Sequence, residues 1–258
     1  IAEGKYPLIN TVEDFTNMWV FDEGTEVMWK IYMSPDELGS ATGTSFWGQY
    51  KQDSTQMQMD YVPSQKLVDL YADADIRFPA FFAPFKLTVS TGASDWLWVF
   101  NKYPGNPELN ASLNVDQHFT NMSKPFRIAE QYLIAAEAYL GLNDLANAGA
   151  YLNQLMTSRI AGFQNATYND ATILMNAIKD ERHRELVGEG FRLTDLKRWG
   201  MGVKRENAAQ VNDLVLYPGA ETTTGLSKEA NDPRMLWPIP KAEMDVNPQL
   251  KGQQNPGY

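Results

Sequence analysis

Glu181-Arg182-His183-Arg184-Glu185-Leu186-Val187-Gly188-Glu189-Gly190-Phe191-Arg192-Leu193-Thr194-Asp195-Leu196-Lys197-Arg198-Trp199-Gly200 is the stretch that decides how this chain is read. Its glutamates 181, 185 and 189 fall at i, i+4 and i+8 on one helix face, and like charges at that spacing repel unless cations stand between them. Arg182, Arg192 and Arg198 are near enough in sequence to do so. Two readings follow. A pair of carboxylates about 5–10 Å apart across a cleft would suit glycoside hydrolysis, with Glu181, Glu185, Glu189 or Asp195 as candidates. The alternative is an arginine–carboxylate lattice that locks helices together. The lattice is favoured, because an arginine-rich setting keeps a carboxylate ionised whereas a catalytic acid needs its pKa raised.

Helical signals extend to both sides of this stretch. Asp170 opens a helix reaching about Val187 and ending at Gly188 or Gly190, and a short helix from Phe191 to Trp199 stops at Gly200. Upstream, Ser123 as N-cap with Pro125 in the first turn predicts a helix to Leu140, stopped by Gly141. Asn143 or Asp144 caps the next, which runs to about Arg159. Ala135, Ala136 and Ala138 on one helix, with Ala146, Ala148 and Ala150 on its partner, let the axes of an antiparallel hairpin approach closely, as in a helical-repeat unit. The spacing from Arg127 to Ala171 is 44 residues, longer than the roughly 34 of a tetratricopeptide repeat.

Outside this helical region (123–200) the chain changes style. Residues 1–122 read as mixed. A helix is predicted over Val12–Val20 with Phe15, Met18 and Trp19 inward, and a strand over Glu26–Met33 with Val27, Trp29 and Ile31 on one face. A polar Gly/Ser/Thr/Gln-rich loop follows over 39–60, then a helix from Ser64 to about Ala72. Residues 78–90 and 96–103 read as extended about a Ser90-Thr91-Gly92 turn, and 104–122 as loop. Residues 201–258 read as a mostly irregular, Pro-rich tail.

Composition narrows the function classes. A chain of 258 residues can bury roughly 75% of its unfolded surface and forms one large domain or two small ones. It has no cysteine and two histidines, which excludes thiol catalysis, Fe–S clusters, zinc ribbons and a disulfide scaffold. The net charge of −10 argues against a nucleic-acid partner. The acidity is concentrated early: residues 1–125 hold 8 Lys+Arg against 16 Asp+Glu. The acidic loops of residues 36–75 would suit calcium on charge alone, but no metal-ligand motif is present and no cofactor is predicted. His183 and His118 read as ordinary histidines. No nucleophile elbow, phosphate loop or dinucleotide fingerprint occurs, and no apolar run reaches the roughly 20 residues of a membrane span.

Aromatic residues are the remaining signal. Trp47 and Tyr50 lie in the 39–60 loop, and Trp96, Trp98 and Tyr103 lie around the second extended segment. These five are the candidate ligand-binding residues, because sugar rings stack their C–H faces on flat aromatics. Trp19, Trp29, Trp199 and Trp237 sit in patterned segments and are expected to be buried.

Several of these segments, taken together, resemble the SusD/RagB family. They are Arg127-Ile128-Ala129-Glu130-Gln131-Tyr132-Leu133-Ile134-Ala135-Ala136-Glu137-Ala138, Leu152-Asn153…Arg159, and the Glu181–Gly200 stretch. To these are added Trp237-Pro238-Ile239-Pro240, Asn247-Pro248 and the ending Gln254-Asn255-Pro256-Gly257-Tyr258. Tyr61-Val62-Pro63-Ser64, Asp75-Ile76-Arg77 and Lys102-Tyr103 are similar as well. The resemblance implies a mainly α fold, SusD-like, in which tetratricopeptide-like helical hairpins carry a loop-rich region and a few short strands. It implies a surface-exposed outer-membrane lipoprotein of Bacteroidetes-type bacteria. Such a protein captures a glycan without catalysis and hands it to a SusC-like TonB-dependent transporter. Capture of peptides or another nutrient is the alternative, and the hydrolase reading of Glu181–Asp195 a second one. Family members are about twice as long. The chain begins at Ile1-Ala2-Glu3-Gly4, and Gly4-Lys5-Tyr6-Pro7-Leu8 resembles the end of the last N-terminal helix. The expectation is therefore a C-terminal part of the family scaffold, with the lipid anchor and any ligand residues of the N-terminal half outside it. The family motifs quoted are structural ones, so none assigns a ligand residue.

Overall fold

A computed structural model describes residues 1–38, 49–50, 57–58, 62–88, 94–111, 120–204, 227–250 and 252–258. The chain opens with α1 (Val12–Val20), capped by the Thr11 hydroxyl accepting from the Asp14 amide, and buries Phe15, Met18 and Trp19 as its spacing predicts. Strand β1 (Val27–Trp29) is shorter than expected. Strands β2 (Gln49–Tyr50) and β3 (Met57–Gln58) form a small antiparallel pair inside the segment read as loop. Ser64 caps α2 (Gln65–Val68), which stops four residues early.

Residues 78–81, read as extended, form a helical turn, α3 (Phe78–Phe81), with Pro in its first turn. The chain then enters β4 (Phe82–Thr88), which pairs antiparallel with β5 (Ser94–Phe100). The Ser90-Thr91-Gly92 turn lies outside the described residues. In the stretch read as loop, Asn106 caps a short α4 (Pro107–Asn110).

The helical region matches its signals closely, except at its start. Strand β6 (Phe126–Arg127) pairs with β1, and α5 (Ile128–Gly141) begins directly after it with Arg127 at the N-cap. Ser123 is therefore not the cap; the chain from 120 to 125 runs without helix into β6. Asp144 caps α6 (Leu145–Arg159) and Asp170 caps α7 (Ala171–Glu185), both through side-chain carboxylates accepting backbone N–H groups. A short α8 (Arg192–Arg198) follows. The tail is more ordered than predicted, with the pair β7 (Val203–Lys204) and β8 (Ser227–Lys228), two 3-10 turns and α9 (Lys241–Val246).

Two apolar clusters form. The first gathers Phe15, Met18 and Trp19 of α1 with Leu67, Phe81, Phe82 and Tyr103. The second is the seam of the helical hairpin: Ala129, Leu133 and Ala136 of α5 against Ala148, Leu152 and Leu155 of α6, closed by Leu174 and Ile178 of α7. Ala136 and Ala148 are fully buried, so the small residues do let α5 and α6 approach, whereas Ala146 and Ala150 face outward. Because Leu155 is fully buried in that seam, Leu155→Ala is expected to lower unfolding stability by about 2–5 kcal/mol. Leu142 in the turn is 76% exposed, and its replacement by Ala should stay within about 0.5 kcal/mol. Urea unfolding of the two variants measures both; equal losses would contradict this division.

Candidate functional site

The charged stretch is built into the floor between the two clusters. Glu185, the last residue of α7, is fully buried. It accepts from three arginines: Arg127 Nη1 at 2.8 Å, Arg159 Nε at 2.9 Å and Nη2 at 3.1 Å, and Arg77 Nη1 at 3.0 Å. Glu181, one turn earlier, accepts from Arg77 Nη1 at 2.5 Å and Arg184 Nε at 2.8 Å. Glu189 takes the other edge of Arg127, at 2.5 and 2.9 Å, and Lys102 Nζ at 2.6 Å. Glu26 accepts from Arg159 Nη2 at 2.8 Å and from the Ile9 amide at 2.7 Å, and Asp75 forks onto Arg77. Among the described residues the lattice is balanced: Arg77, Lys102, Arg127, Arg159 and Arg184 stand against Glu26, Asp75, Glu181, Glu185 and Glu189.

The same cations touch the first apolar cluster. Lys102 Nζ lies 4.3 Å from the Trp19 ring centroid and 4.1 Å from that of Phe81. The guanidinium of Arg127 lies 5.2 Å from Trp19, and that of Arg159 4.7 Å from Phe15. Cation–π attraction is stronger when desolvated, so the lattice and the aromatic core support one another. Asp22, in the left-handed region at φ 60°, anchors a smaller group by accepting from Lys124 at 2.5 Å and from Asn106 and Asn121.

A third group ties the helices on their outer side. Asp195 accepts from Arg182 and Arg198 at 2.9 Å each, and Arg198 forks onto Glu137 of α5, which also accepts from the Trp199 indole at 3.1 Å. Of the three arginines expected beside the glutamates, Arg182 and Arg198 bond Asp195 instead, and Arg192 makes no ion pair among the described residues.

These carboxylates cannot serve as a hydrolytic pair. Glu181 and Glu185 are fully buried and Glu189 nearly so, which leaves no approach for a polymer. Burial alone would push the Glu185 carboxyl up, but Arg159, Arg127 and Arg77 together hold it well below the ordinary range. Burial is likewise outweighed at Glu181 by Arg77 and Arg184, and at Glu189 by Arg127 and Lys102. All three are locked ionised, whereas glycoside hydrolysis needs one carboxyl kept protonated. His183 is held neutral: burial first, then Arg192, Lys66 and Arg184, draw its pKa down to about 3. Among the described residues no cluster of His, Asp and Glu is arranged to hold a metal ion.

The five predicted ligand residues fare differently. Trp47 lies outside the described residues, and of Tyr50 only the backbone is described, in β2. Trp96 and Trp98 share a face of β5, paired with Lys86 and Pro84 of β4. Trp98, nearer the core, packs edge-on against Phe78 at 4.8 Å, while Trp96 towards the hairpin tip is 63% exposed. Tyr103 is a correction: it is 6% exposed and packs edge-on against Trp19 at 5.4 Å, leaving no ring face for a ligand.

Two tryptophans expected to be buried are not. Trp29 on β1 is 54% exposed and meets Phe126 of β6, its cross-strand neighbour, with ring centroids 5.7 Å apart. Ile31 and Tyr32 beside it also face outward. Trp237 is 78% exposed although Gln254 and Asn255 clamp the backbone around it. The expectation that Val27, Trp29 and Ile31 share one face fails at an irregularity between Val27 and Trp29: Val27 pairs with the buried Arg127 and packs against the core, whereas Trp29 pairs with the exposed Phe126 and turns outward. The unread signal was Phe126, two residues before the helix and itself exposed.

What emerges is a helical-repeat scaffold held by a buried salt lattice, with aromatic rings displayed on short sheets. The SusD family model matches residues 87–258, and the chain belongs to the SusD/RagB family. It is 30% identical over 203 residues to the SusD-like protein P25 of Formosa agariphila, a match covering 77% of this chain and 32% of that protein. The solved structure of a SusD superfamily protein from Bacteroides thetaiotaomicron superposes with a TM-score of 0.72 at 26% identity, over 98% of this chain and 53% of the other. Surface glycan-binding protein A from Bacteroides fluxus gives 0.66 at 24% identity, over 100% and 56%. The chain therefore spans about half the length of these solved relatives. No helix among the described residues is long and apolar enough to cross a membrane.

The lattice makes acid its weak point. The three glutamates titrate near 4.3 in an unfolded chain and lower in the fold, so their stabilisation is complete above that value and is lost as pH falls through the folded values. Circular dichroism against pH is expected to show a cooperative loss of helix below about pH 4; helix retained at pH 2 would contradict it. Glu185→Gln leaves buried guanidiniums short of charge and should cost about 3–5 kcal/mol at pH 7.

Proposed function

We propose that this chain takes part in capturing a glycan at the outer surface of a Bacteroidetes-type bacterium, by binding rather than catalysis, for import through a SusC-like TonB-dependent transporter. The observation that carries this reading is the exposed pair Trp29 and Phe126, two rings held side by side by β1 and β6. Trp96 adds a third exposed ring on β5. Arg127, next to Phe126, is fixed in the lattice, so the strand presenting the platform is anchored from beneath, which limits the ordering cost of binding. Family membership and the surface glycan-binding protein of B. fluxus among the structural relatives support the same reading. The lipid anchor and the transporter contact are part of the proposal for the whole protein.

The magnitudes set an expectation. A sugar ring stacking on one aromatic removes roughly 50 Å² of apolar surface, worth about 1.25 kcal/mol at about 25 cal/mol/Å². The Trp29–Phe126 pair gives roughly 2.5 kcal/mol, which corresponds to affinity weaker than millimolar. Binding should therefore be weak for short sugars and stronger for polymers that engage several rings. Affinity electrophoresis against a panel of polysaccharides tests this: one glycan is expected to retard the chain, and Trp29→Ala combined with Phe126→Ala to weaken that retardation. Retardation unchanged in that variant would move the site away from the platform. Retention on immobilised peptides with none on any glycan would overturn the reading.

A further inference from the structure

A groove of about 910 Å³ runs along the outward side of α6. Its floor is made of small residues. Ala146, Gly149 and Ala150 fall at i, i+3 and i+4 of the helix, and a Cβ added at Gly149 would stand 3.0 Å from the Tyr168 ring. One wall is the connection between α6 and α7, and it is pinned in place. The Asn153 amide donates to the Ala166 carbonyl at 2.8 Å and accepts from its N–H at 3.1 Å, while the Thr157 hydroxyl donates to Asn165 at 3.1 Å. Tyr132 of α5 and Tyr168 of the wall bring phenol rings to the groove.

The chemistry of this lining is selective. One fifth of the chain, 21%, is charged, yet no Asp, Glu, Lys or Arg lines the groove. What lines it instead are amides and hydroxyls. The side chains of Gln154, Thr167 and Asn169 make no hydrogen bond among the described residues, so their donors and acceptors remain available to a ligand. Small-molecule sites commonly occupy about 300–1,000 Å³ and combine aromatic surface with a few placed polar groups. An ionic ligand would find no counter-charge here, and an apolar one would strip water from amides without replacing their hydrogen bonds.

The geometry points to this groove as a second binding site, taking an uncharged oligosaccharide of neutral pyranose units. Tyr132 and Tyr168 would offer apolar contact and Gln154, Thr167 and Asn169 would hydrogen-bond hydroxyls. The ligand class rests on the glycan-capture reading above; the location does not, because none of these residues belongs to the Trp29–Phe126 platform. Two separated sites on one chain would favour a polymer over a short sugar by raising the effective concentration at the second contact.

The test is amide NMR of the isotope-labelled chain titrated with neutral gluco-, manno-, xylo- and galacto-configured hexasaccharides, with a hexagalacturonate as the charged control. At least one neutral hexasaccharide is expected to shift the amides of residues 146–169. The exposed Ala150 replaced by Arg puts a long charged side chain on the floor and should weaken that binding by about tenfold or more. Trp29→Ala with Phe126→Ala should leave it unchanged. Should Ala150→Arg lose its native circular dichroism, Gln154→Ala with Asn169→Ala, both at exposed positions, is expected to weaken binding in its place. Shifts confined to the platform would overturn the groove while leaving glycan capture standing. Shifts confined to the groove would support it and remove the platform. Equal binding of hexagalacturonate, or no shift in residues 146–169 with any neutral sugar, would overturn the groove proposal.

Discussion

One carboxylate, Glu185, is the constraint on which the rest of the structure hangs. It ends α7 fully buried, where a lone charge would be prohibitive, and it is also set against the negative end of its own helix dipole. Three guanidiniums answer it, from the approach to α3, from β6 and from the last residue of α6. Each then needs further carboxylates, which Glu26, Asp75, Glu181 and Glu189 supply. Satisfying one buried ion thus fixes where five separate segments meet. The planar fork of arginine lets one residue bond two acceptors at once, as Arg127 does with Glu185 and Glu189. Lysine in its place would carry the charge but not that geometry.

The lattice also explains why the charged motif and the binding chemistry are separate. Side chains that lock one another ionised and sealed cannot shuttle protons or meet a polymer. The surface aromatics are not bound by that network and take no part in closing it. Trp29 and Trp96 sit at the outer ends of short strands whose inner ends, at Val27 and Phe100, pack on the core. The strands display their outer aromatics, while the sealed interior holds their position.

What could be read from the sequence divides along the same physical line. Local signals were legible: Asp144 and Asp170 as caps, Gly200 as a stop, the Phe15/Met18/Trp19 face and the alanine seam all act within a few residues. The lattice was legible as a type, because three glutamates spaced four apart demand cations, although α7 ends at Glu185 and Glu189 lies in the turns beyond it and not on the same helix face. Its members were not legible, since Arg77 reaches Glu185 across 108 residues and Arg127 across 58; sequence proximity pointed to Arg182, Arg192 and Arg198, of which the two that pair, Arg182 and Arg198, bond Asp195 and Glu137 and not the three glutamates. Alternation grouped Trp29 with Val27 because it cannot foresee the irregularity in the β1–β6 register that turns Trp29 outward. Tyr103 was read as a ligand ring because it follows an extended segment, yet its neighbour Lys102 is drawn into the interior by Glu189 and carries the chain inward. The α6 groove left no motif, because it consists of small and neutral residues that signal nothing singly.

The order in which the lattice is written along the chain has a consequence for biogenesis. Arg77, Arg127 and Arg159 all precede Glu185, so a chain emerging from its N-terminal side holds three guanidiniums with no central acceptor until α7 is nearly complete. Burying them beforehand would cost several kcal/mol each, and the contacts that reward burial span long loops, which slows closure further. The interior therefore shuts late, after about three quarters of these 258 residues are available.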